Sequence, residues 1–523
     1  MPLRSATNAV SRGPDMFRKI LSVGGWTLVS RATGFLRDVM MAAVMGAGPI
    51  ADAFVVAFRL PNHFRAIFGE GAFNAAFVPS YGRIRQVEGD GPARTFADRV
   101  FALLLLSQVV LLVAVFAGMP TFVRLLAPGL AEKPATFDLA VTLTRITFPY
   151  LLMITLVTLI SGMLNAHDRF WAAAAAPILL NLAMIATLAL AYLFPTAGHA
   201  AAWGVTISGV LQLALVWWDA GRAGIPPRPE RPRRDRELGL FFRRLGPAVL
   251  GSAGVQVAMF ADTIIASTLP AGALSALYYA ERLYQLPLGV VGIAAGTVVL
   301  PEMTRRIAAG QPERAHAAQN RAIGFTLALA APCAVAFVLI PDLIMTALFQ
   351  RGAFDAAAAA RSGAVLAAYS CALPAAVLVR SVVASFYSRG DTKTPLYASL
   401  AGIVLNVALK IVLTPALGVV GLALGTAAGV WLNVALLWLL AWKRGWSAPS
   451  GQLGRALATI VAGCALLALA IILAGPPLAA ALAKLGPLAP IATLAVLAAG
   501  GAILYGAALL AGFRLLGVRL SRA

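Results

Sequence analysis

Apolar runs of bilayer length follow one another along almost the whole chain, separated by short polar connections. A spanning helix needs roughly 20 mostly apolar residues, and the pattern yields about fourteen such runs. They fall at approximately 20–46, 50–79, 97–126, 138–165, 171–195, 198–221, 240–268, 272–303, 318–349, 356–388, 395–415, 417–442, 453–476 and 487–513. The pattern predicts an all-α polytopic membrane protein. Several runs are longer than a bilayer requires, which predicts tilts, kinks or extensions beyond it.

The second and eighth runs are the most irregular. One holds Leu60-Pro61, Gly69, Gly71 and Pro79; the other holds Leu286-Pro287, Gly289, Gly292, Gly296 and Pro301. Proline removes a helical hydrogen bond and clashes with the preceding turn, so Pro61 and Pro287 are candidate hinges. The correspondence continues: Pro149 precedes Leu164-Asn165 and His167-Asp168-Arg169, while Pro374 precedes Phe386-Tyr387-Ser388-Arg389-Gly390-Asp391. Asn181 comes before Trp203-Gly204-Val205-Thr206, and Asn406 before Leu424-Gly425-Thr426. Spans one to six thus resemble spans seven to twelve in the same orientation, which predicts two six-helix lobes in parallel pseudo-repeat plus two C-terminal helices. The expected organisation is a leader over 1–15, an N-lobe over 16–221, a basic linker over 222–239, a C-lobe over 240–442, and the last two spans and tail over 443–523.

The chain has 523 residues, 60% of them hydrophobic and 12% charged, with a net charge of +21. Such a charge could attract nucleic acid, but there is no soluble stretch long enough to form a binding domain, so no nucleic-acid partner is expected. Topology explains it. With a cytoplasmic N-terminus, about 29 of the 42 Lys and Arg fall at cytoplasmic connections or tails, which predicts that both termini are cytoplasmic. The largest cluster runs from Arg222 through Arg228, Arg231, Arg233, Arg234 and Arg236 to Arg244 with four interleaved prolines, and reads as a linker skirting anionic headgroups. Cys333, Cys371 and Cys464 lie in apolar segments, and His63, His167, His199 and His316 are scattered, so no metal site is expected. Residues 1–15 lack a signal peptide's apolar core; they read as a disordered leader, unless translation starts at Met16.

Arg31, Arg37, Arg59, Arg65 and Arg282 sit inside the runs. An arginine at a helix centre costs roughly 2.5–3.5 kcal/mol in lipid, so about five facing lipid would cost on the order of 12–17 kcal/mol. They must face something wet or anionic. Structural pairing explains part of the pattern, since Arg31 and Asp38 share one stripe of the first helix and Asp52 and Arg59 repeat that relation on the second. Arg37, Arg65, Arg282 and Arg380 remain, with Glu70 and Glu281 as nearby acids. A cationic cavity between the lobes and purely structural pairing are both open on spacing alone. Guanidinium donates bidentately to phosphate and never deprotonates, so a cavity of this kind suits a diphosphate better than a monocarboxylate.

Four segments carry a resemblance. They are Ser30-Arg31-Ala32-Thr33-Gly34-Phe35-Leu36-Arg37-Asp38, then Ala51-Asp52-Ala53-Phe54, then Phe58-Arg59-Leu60-Pro61-Asn62-His63-Phe64-Arg65, and Gly69-Glu70-Gly71-Ala72-Phe73 through Pro79. Together with Tyr278-Tyr279-Ala280-Glu281-Arg282-Leu283 and Phe386 through Pro395, they resemble the MurJ (MviN) lipid II flippases of the multidrug/oligosaccharidyl-lipid/polysaccharide exporter superfamily. The resemblance implies a fourteen-helix transporter, not an enzyme, that alternates between inward- and outward-open states in the bacterial inner membrane. The implied substrate is lipid II, the undecaprenyl-diphosphate-linked peptidoglycan precursor, carried from the cytoplasmic to the periplasmic leaflet. The alternative is another polyprenyl-diphosphate-linked glycan.

Carried over by position, Arg31, Arg37, Arg65 and Arg282 match substrate-binding cavity arginines, with Arg380 at a further basic position and Asn62 beside them. Asp38 and Asp52 match gate acids, and Arg59, Glu70 and Glu281 complete the expected charge pairs. Some relatives hold sodium between the seventh, eleventh and twelfth helices; Asp262, Asn406 and Thr426 match that site, but Lys410 stands where those relatives have another carboxylate. A Lys410–Asp262 pair would take the cation's place, which leaves sodium uncertain. Gln285 stands where some relatives are acidic. No other cofactor is expected; the membrane potential, worth about 2.3 kcal/mol per charge per 100 mV, is the expected drive. Membrane lipids and the peptidoglycan synthesis and division machinery are the expected partners besides lipid II.

Overall fold

The computed structural model describes residues 13–65, 72–231, 233 and 236–517. Most of the leader expected over 1–15 lies outside the described residues, as does the stretch with Gly69, Glu70 and Gly71. Among the described residues every regular element is helical. The first six expected spans map onto α1 (Gly13–Met45), α2 (Pro49–Arg65), α3 (Ala72–Glu88), α4 (Asp90–Ala117), α5 (Met119–Leu126), α6 (Pro134–Thr147), α7 (Pro149–Ala166), α8 (Trp171–Ala189) and α9 (Ala197–Arg222). The next six map onto α10 (Arg236–Ser267), α11 (Ala273–Ala308), α12 (Pro312–Leu339), α13 (Pro341–Phe349), α14 (Ala356–Ser370), α15 (Leu373–Tyr387), α16 (Lys393–Leu417) and α17 (Val419–Lys443). The last two are α18 (Gly451–Leu482) and α19 (Ala489–Leu515). Nine helical stretches among the described residues are long and apolar enough to cross a bilayer. The helices outside that set include α1 and α2, which carry the buried Arg37, Asp38 and Asp52, and α10 and α11, which carry the half-buried Asp262, Glu281 and Arg282.

The chain divides into two compact units, Met1–Met45 with Pro49–Gln256, and Gly46–Gly48 with Val257–Ala523. The division falls inside α10, so residues 240–256, which the sequence pattern gives to the C-lobe, pack with the first unit. The cause is aromatic packing. Phe241 is 2% exposed and meets the rings of Phe73 and Phe96 edge-on at 5.8 and 6.0 Å. Phe77 stacks on Phe73 and Phe96, completing a cluster whose pairs contribute about 0.5–1.5 kcal/mol each beyond burial. Glu237, one turn earlier, forms an ion pair with Arg83.

The internal repeat is visible in where helices break. In the first unit the third and fourth spans split as α4/α5 and α6/α7; in the second they split as α12/α13 and α14/α15. A proline opens the helix after every break (Pro120, Pro149, Pro341 and Pro374), and its missing N–H is tolerated in a first turn. The carbonyls near two of these breaks find side-chain donors on another helix. The Thr206 hydroxyl of α9 donates to Ile146, and the Trp431 indole of α17 donates to Cys371 at 2.8 Å, each carbonyl standing at the same distance before Pro149 and Pro374 respectively. Buried backbone groups require such partners where water is absent.

In the second unit, the Gly46 carbonyl accepts the buried Tyr279 hydroxyl at 3.0 Å. Gly46 has φ +70°, and a Cβ there would stand 2.5 Å from the Ala353 carbonyl, so only glycine fits. The C-terminal hairpin α18–α19 is fixed to α12 by Tyr505, whose hydroxyl donates to Ala328 at 2.9 Å. That carbonyl lies one turn before Pro332, which cannot donate to it.

Candidate functional site: charged groups within each unit

In the first unit the charge cluster is built on α1, α2 and α8. Arg37 is 5% exposed and Asp38 4%. Arg37 Nη2 and Nε donate to Asp38 Oδ1 at 2.7 and 3.1 Å, while Nη1 donates to Asn181 Oδ1 at 3.0 Å. Asn181 is itself oriented, its amide donating to the Ser30 carbonyl at 3.0 Å and the Thr33 hydroxyl at 3.1 Å. Gly34 allows this approach, with a hypothetical Cβ already 3.4 Å from Asn181 Nδ2. The acid that helical spacing assigns to Arg31 is thus engaged by Arg37. A seven-residue spacing aligns two Cβ atoms, but Arg37 is drawn to Asp38 because Asn181 of the neighbouring helix completes its fork. Arg31 is half-buried and forms no hydrogen bond or ion pair among the described residues.

Asp52 is buried at 4% exposure in the first turn of α2, and Arg59 lies two turns on, half-buried. Pro61 sits inside the same helix and cannot donate to the carbonyl of Ala57. That carbonyl instead accepts the fully buried Thr147 hydroxyl of α6 at 2.9 Å. Asn62 turns its amide back onto its own helix, donating to Phe58 at 3.0 Å. Arg65 ends α2; its side chain and Glu70 lie outside what is described.

In the second unit, Lys410 of α16 has no exposed surface, and its ammonium lies 2.5 Å from Asp262 Oδ1 of α10, whose side chain is 18% exposed. Gly425 of α17 makes room for the lysine: a Cβ there would stand 2.8 Å from Lys410 Cγ. Asn406, one turn before Lys410, is 8% exposed and its Oδ1 has no donor among the described residues. Thr426 directs its hydroxyl to the Leu422 carbonyl of its own helix at 3.2 Å. Arg282 is half-buried on α11, its guanidinium 4.8 Å from the centre of the buried Tyr278 ring. Glu281 accepts the Gln285 amide at 2.8 Å, so the glutamine that stands at an otherwise acidic position is tied to that carboxylate. Arg380 lies on α15 with an exposed side chain, and Pro287 lies within the continuous helix α11.

The two units place related groups in related places. The same sequence offset separates Arg37 from Asp262 and Asn181 from Asn406; Arg37 bonds Asn181, and Asp262 pairs with Lys410, one turn beyond Asn406. The counter-charge differs: Asp38 follows Arg37 in the chain, whereas Lys410 follows Asn406 by one turn. Neutralised pairs of this kind hold helices together in lipid, where an unpaired charge is costly. Among the described residues no cluster of His, Cys, Asp and Glu could hold a metal ion.

A family described as "Lipid II flippase MurJ" matches residues 41–482. The chain belongs to the lipid II flippase MurJ family. A curated relative, "Probable lipid II flippase MurJ" of Rhizobium meliloti, is 40% identical over 480 residues, covering 91% of this chain and 89% of the relative. The "Lipid II flippase MurJ" of Burkholderia cenocepacia is 34% identical, covering 83% and 86%. Among solved structures, "Lipid II flippase MurJ, inward closed conformation" superposes with a TM-score of 0.79 at 22% identity, covering 94% of this chain and 99% of that one. An inward-facing multidrug resistance MATE transporter of the MOP superfamily gives 0.67 at 17%, covering 79% and 94%. Membership in the MurJ family makes this multi-pass membrane protein a transporter and not an enzyme.

Sequence reasoning passed over two residues that the geometry brings forward. Asn181 is visible as a repeat-related asparagine, but its role as the second acceptor of Arg37 needed the α1–α8 contact. Thr147 carried no signal beyond being a hydroxyl in an apolar run, since its task is set by a proline on another helix.

Proposed function

We propose that this protein moves lipid II from the cytoplasmic to the periplasmic leaflet by alternating access, with both termini cytoplasmic. Family membership supports the substrate, and the observation that carries the mechanism is Arg31: a half-buried guanidinium in an apolar helix with no acid engaging it among the described residues. A permanent cation so placed favours an anionic ligand, and the lipid diphosphate supplies one. Arg282, held against Tyr278, supplies a second guanidinium, and Arg65 and Arg380 supply the others. Arg37, already matched by Asp38, positions α1 on α8 and leaves its neighbours to the substrate.

The reaction needs no covalent step. Diphosphate binding neutralises the arginines of a central cavity, the lobes close behind it, and Pro61 absorbs the bend in α2 while Thr147 keeps the Ala57 carbonyl satisfied. The membrane potential drives the cycle, and the Lys410 ammonium stands where a bound sodium would otherwise balance Asp262. Complementation in cells depleted of their own lipid II flippase tests the reading. The parent restores translocation and growth, and Arg31→Ala and Arg282→Ala at matched membrane levels do not. Failure of an inserted, abundant parent would assign the site to another polyprenyl-diphosphate-linked glycan.

A further inference from the structure

The basic stretch after α9 is a fixed strap on the first unit. Arg94 of α4 donates to the carbonyls of Gly224 at 3.3 Å and Pro226 at 3.5 Å, and Asp98 accepts the backbone N–H of Arg228 at 2.8 Å. Pro227 is buried between these contacts. The strap's described acids are consumed inward: Glu230 pairs with Arg99 at 3.1 Å and Glu237 with Arg83. Arg228, Arg231, Arg233, Arg236 and Arg243 are exposed and form no ion pair among the described residues. These two pairings turn the charge of Glu230 and Glu237 away from the exposed arginines.

Its height relative to a bilayer is marked by tryptophans. The last turns of α9 carry Trp217 and Trp218, which are 37% and 52% exposed, and the Arg222 guanidinium lies 4.9 Å over the Trp218 ring. Trp171 meets Trp218 edge-on at 6.0 Å, and Phe242 is 50% exposed beside Arg243. Exposed aromatic rings at the end of a spanning helix sit at headgroup level. The arginine row therefore starts one turn beyond the plane in which lipid phosphates lie.

We propose that this strap is a binding platform for the phosphate groups of anionic phospholipids in the leaflet it borders. Planar guanidinium forks match phosphate oxygens, and a strap already pinned to α4 loses little freedom on binding. A nucleic acid would use the same charge, but the tryptophans and Phe242 at the foot of the row fit a lipid surface and offer no groove for a duplex.

The test uses the full-length protein in nanodiscs of phosphatidylcholine alone or mixed with phosphatidylglycerol, with the combined variant Arg228→Gln, Arg231→Gln, Arg233→Gln and Arg236→Gln beside the parent. An equal melting temperature in pure phosphatidylcholine shows that the variant is folded. Phosphatidylglycerol raises the parent's melting temperature and is retained on extraction; the variant loses most of that shift and binds it at least about tenfold more weakly, as expected from the worth of each surface arginine. Salt at about 1 M, where the Debye length is about 3 Å, weakens the parent's retention. Equal retention by parent and variant overturns the proposal, as does a strap that binds a short RNA duplex while ignoring phosphatidylglycerol. Lipid retention is read without any transport assay, so it stands or falls apart from the identity of the transported substrate.

Discussion

Replacing Lys410 by alanine removes the ammonium that faces Asp262, and the structure sets the size of the effect. The ammonium is fully buried and 2.5 Å from a carboxylate that keeps 18% of its exposure. Breaking a buried pair by deleting one partner costs about 3–5 kcal/mol because the other charge is stranded; the residual exposure of Asp262 argues for the low end, about 3 kcal/mol or roughly a hundredfold in the folding equilibrium. Asp262→Asn strands the ammonium instead and costs a similar amount. The double variant strands nothing, so its loss falls well below the sum of the two. The assay is denaturant unfolding in mixed micelles for all four proteins, repeated in sodium and in potassium chloride at equal ionic strength. Lys410→Ala opens a space beside Asp262, one turn along α16 from Asn406, so sodium stabilises that variant by linkage and leaves the parent unchanged. Additive single-variant losses, or a parent that responds to sodium as strongly as Lys410→Ala, would refute the idea that the lysine replaces a cation.

Thr147→Val leaves the Ala57 carbonyl without a donor and destabilises by about 1–3 kcal/mol, whereas adding Pro61→Ala restores an amide donor and recovers much of the loss; thermal unfolding of the parent and the two variants decides it. Arg37→Ala lowers the melting temperature because it takes the guanidinium from buried Asp38 and unties Asn181, while Arg31→Ala melts like the parent and loses transport; equal melting losses would show that Arg31 also has a structural role. Asp391 lies outside the spans and binds the first turn of α16, accepting the Thr394 amide at 3.0 Å and hydroxyl at 2.7 Å and pairing with Arg444 at 2.7 Å. The Thr394 contacts, then Arg444, hold its carboxyl down at about 2. Because the folded value is depressed, its contribution is complete above the unfolded value of about 3.9 and is lost as pH falls toward 2. Asp391→Asn removes that acid-side slope and costs about 1 kcal/mol at neutral pH, read by unfolding at a series of pH values.

The helices and their repeat were legible because bilayer thickness imposes one length on every apolar run, and because prolines such as Pro149 and Pro374 recur at matched points. The partners of the charges were less so. Helical spacing aligns Arg31 with Asp38, yet the long, flexible Arg37 side chain takes that acid with help from α8, a contact that no local pattern encodes. The run from 222 to 239 has the composition of a loose linker, but Arg94, Asp98 and Arg99 on α4 pin it, and single charges in α4 do not announce their partners more than a hundred residues away. The motif around Asp391 was readable as a resemblance only; its local task, bracing a helix start through Thr394, became clear from the hydrogen bonds.

The most direct test of the central claim is translocation of fluorescent lipid II in vesicles containing the purified protein, with an imposed membrane potential and the far-side pool read by a membrane-impermeant quencher. The account predicts potential-dependent movement by the parent, and its loss in Arg31→Ala and Arg282→Ala proteins that melt like the parent. Movement by both variants at the parent's rate would contradict it.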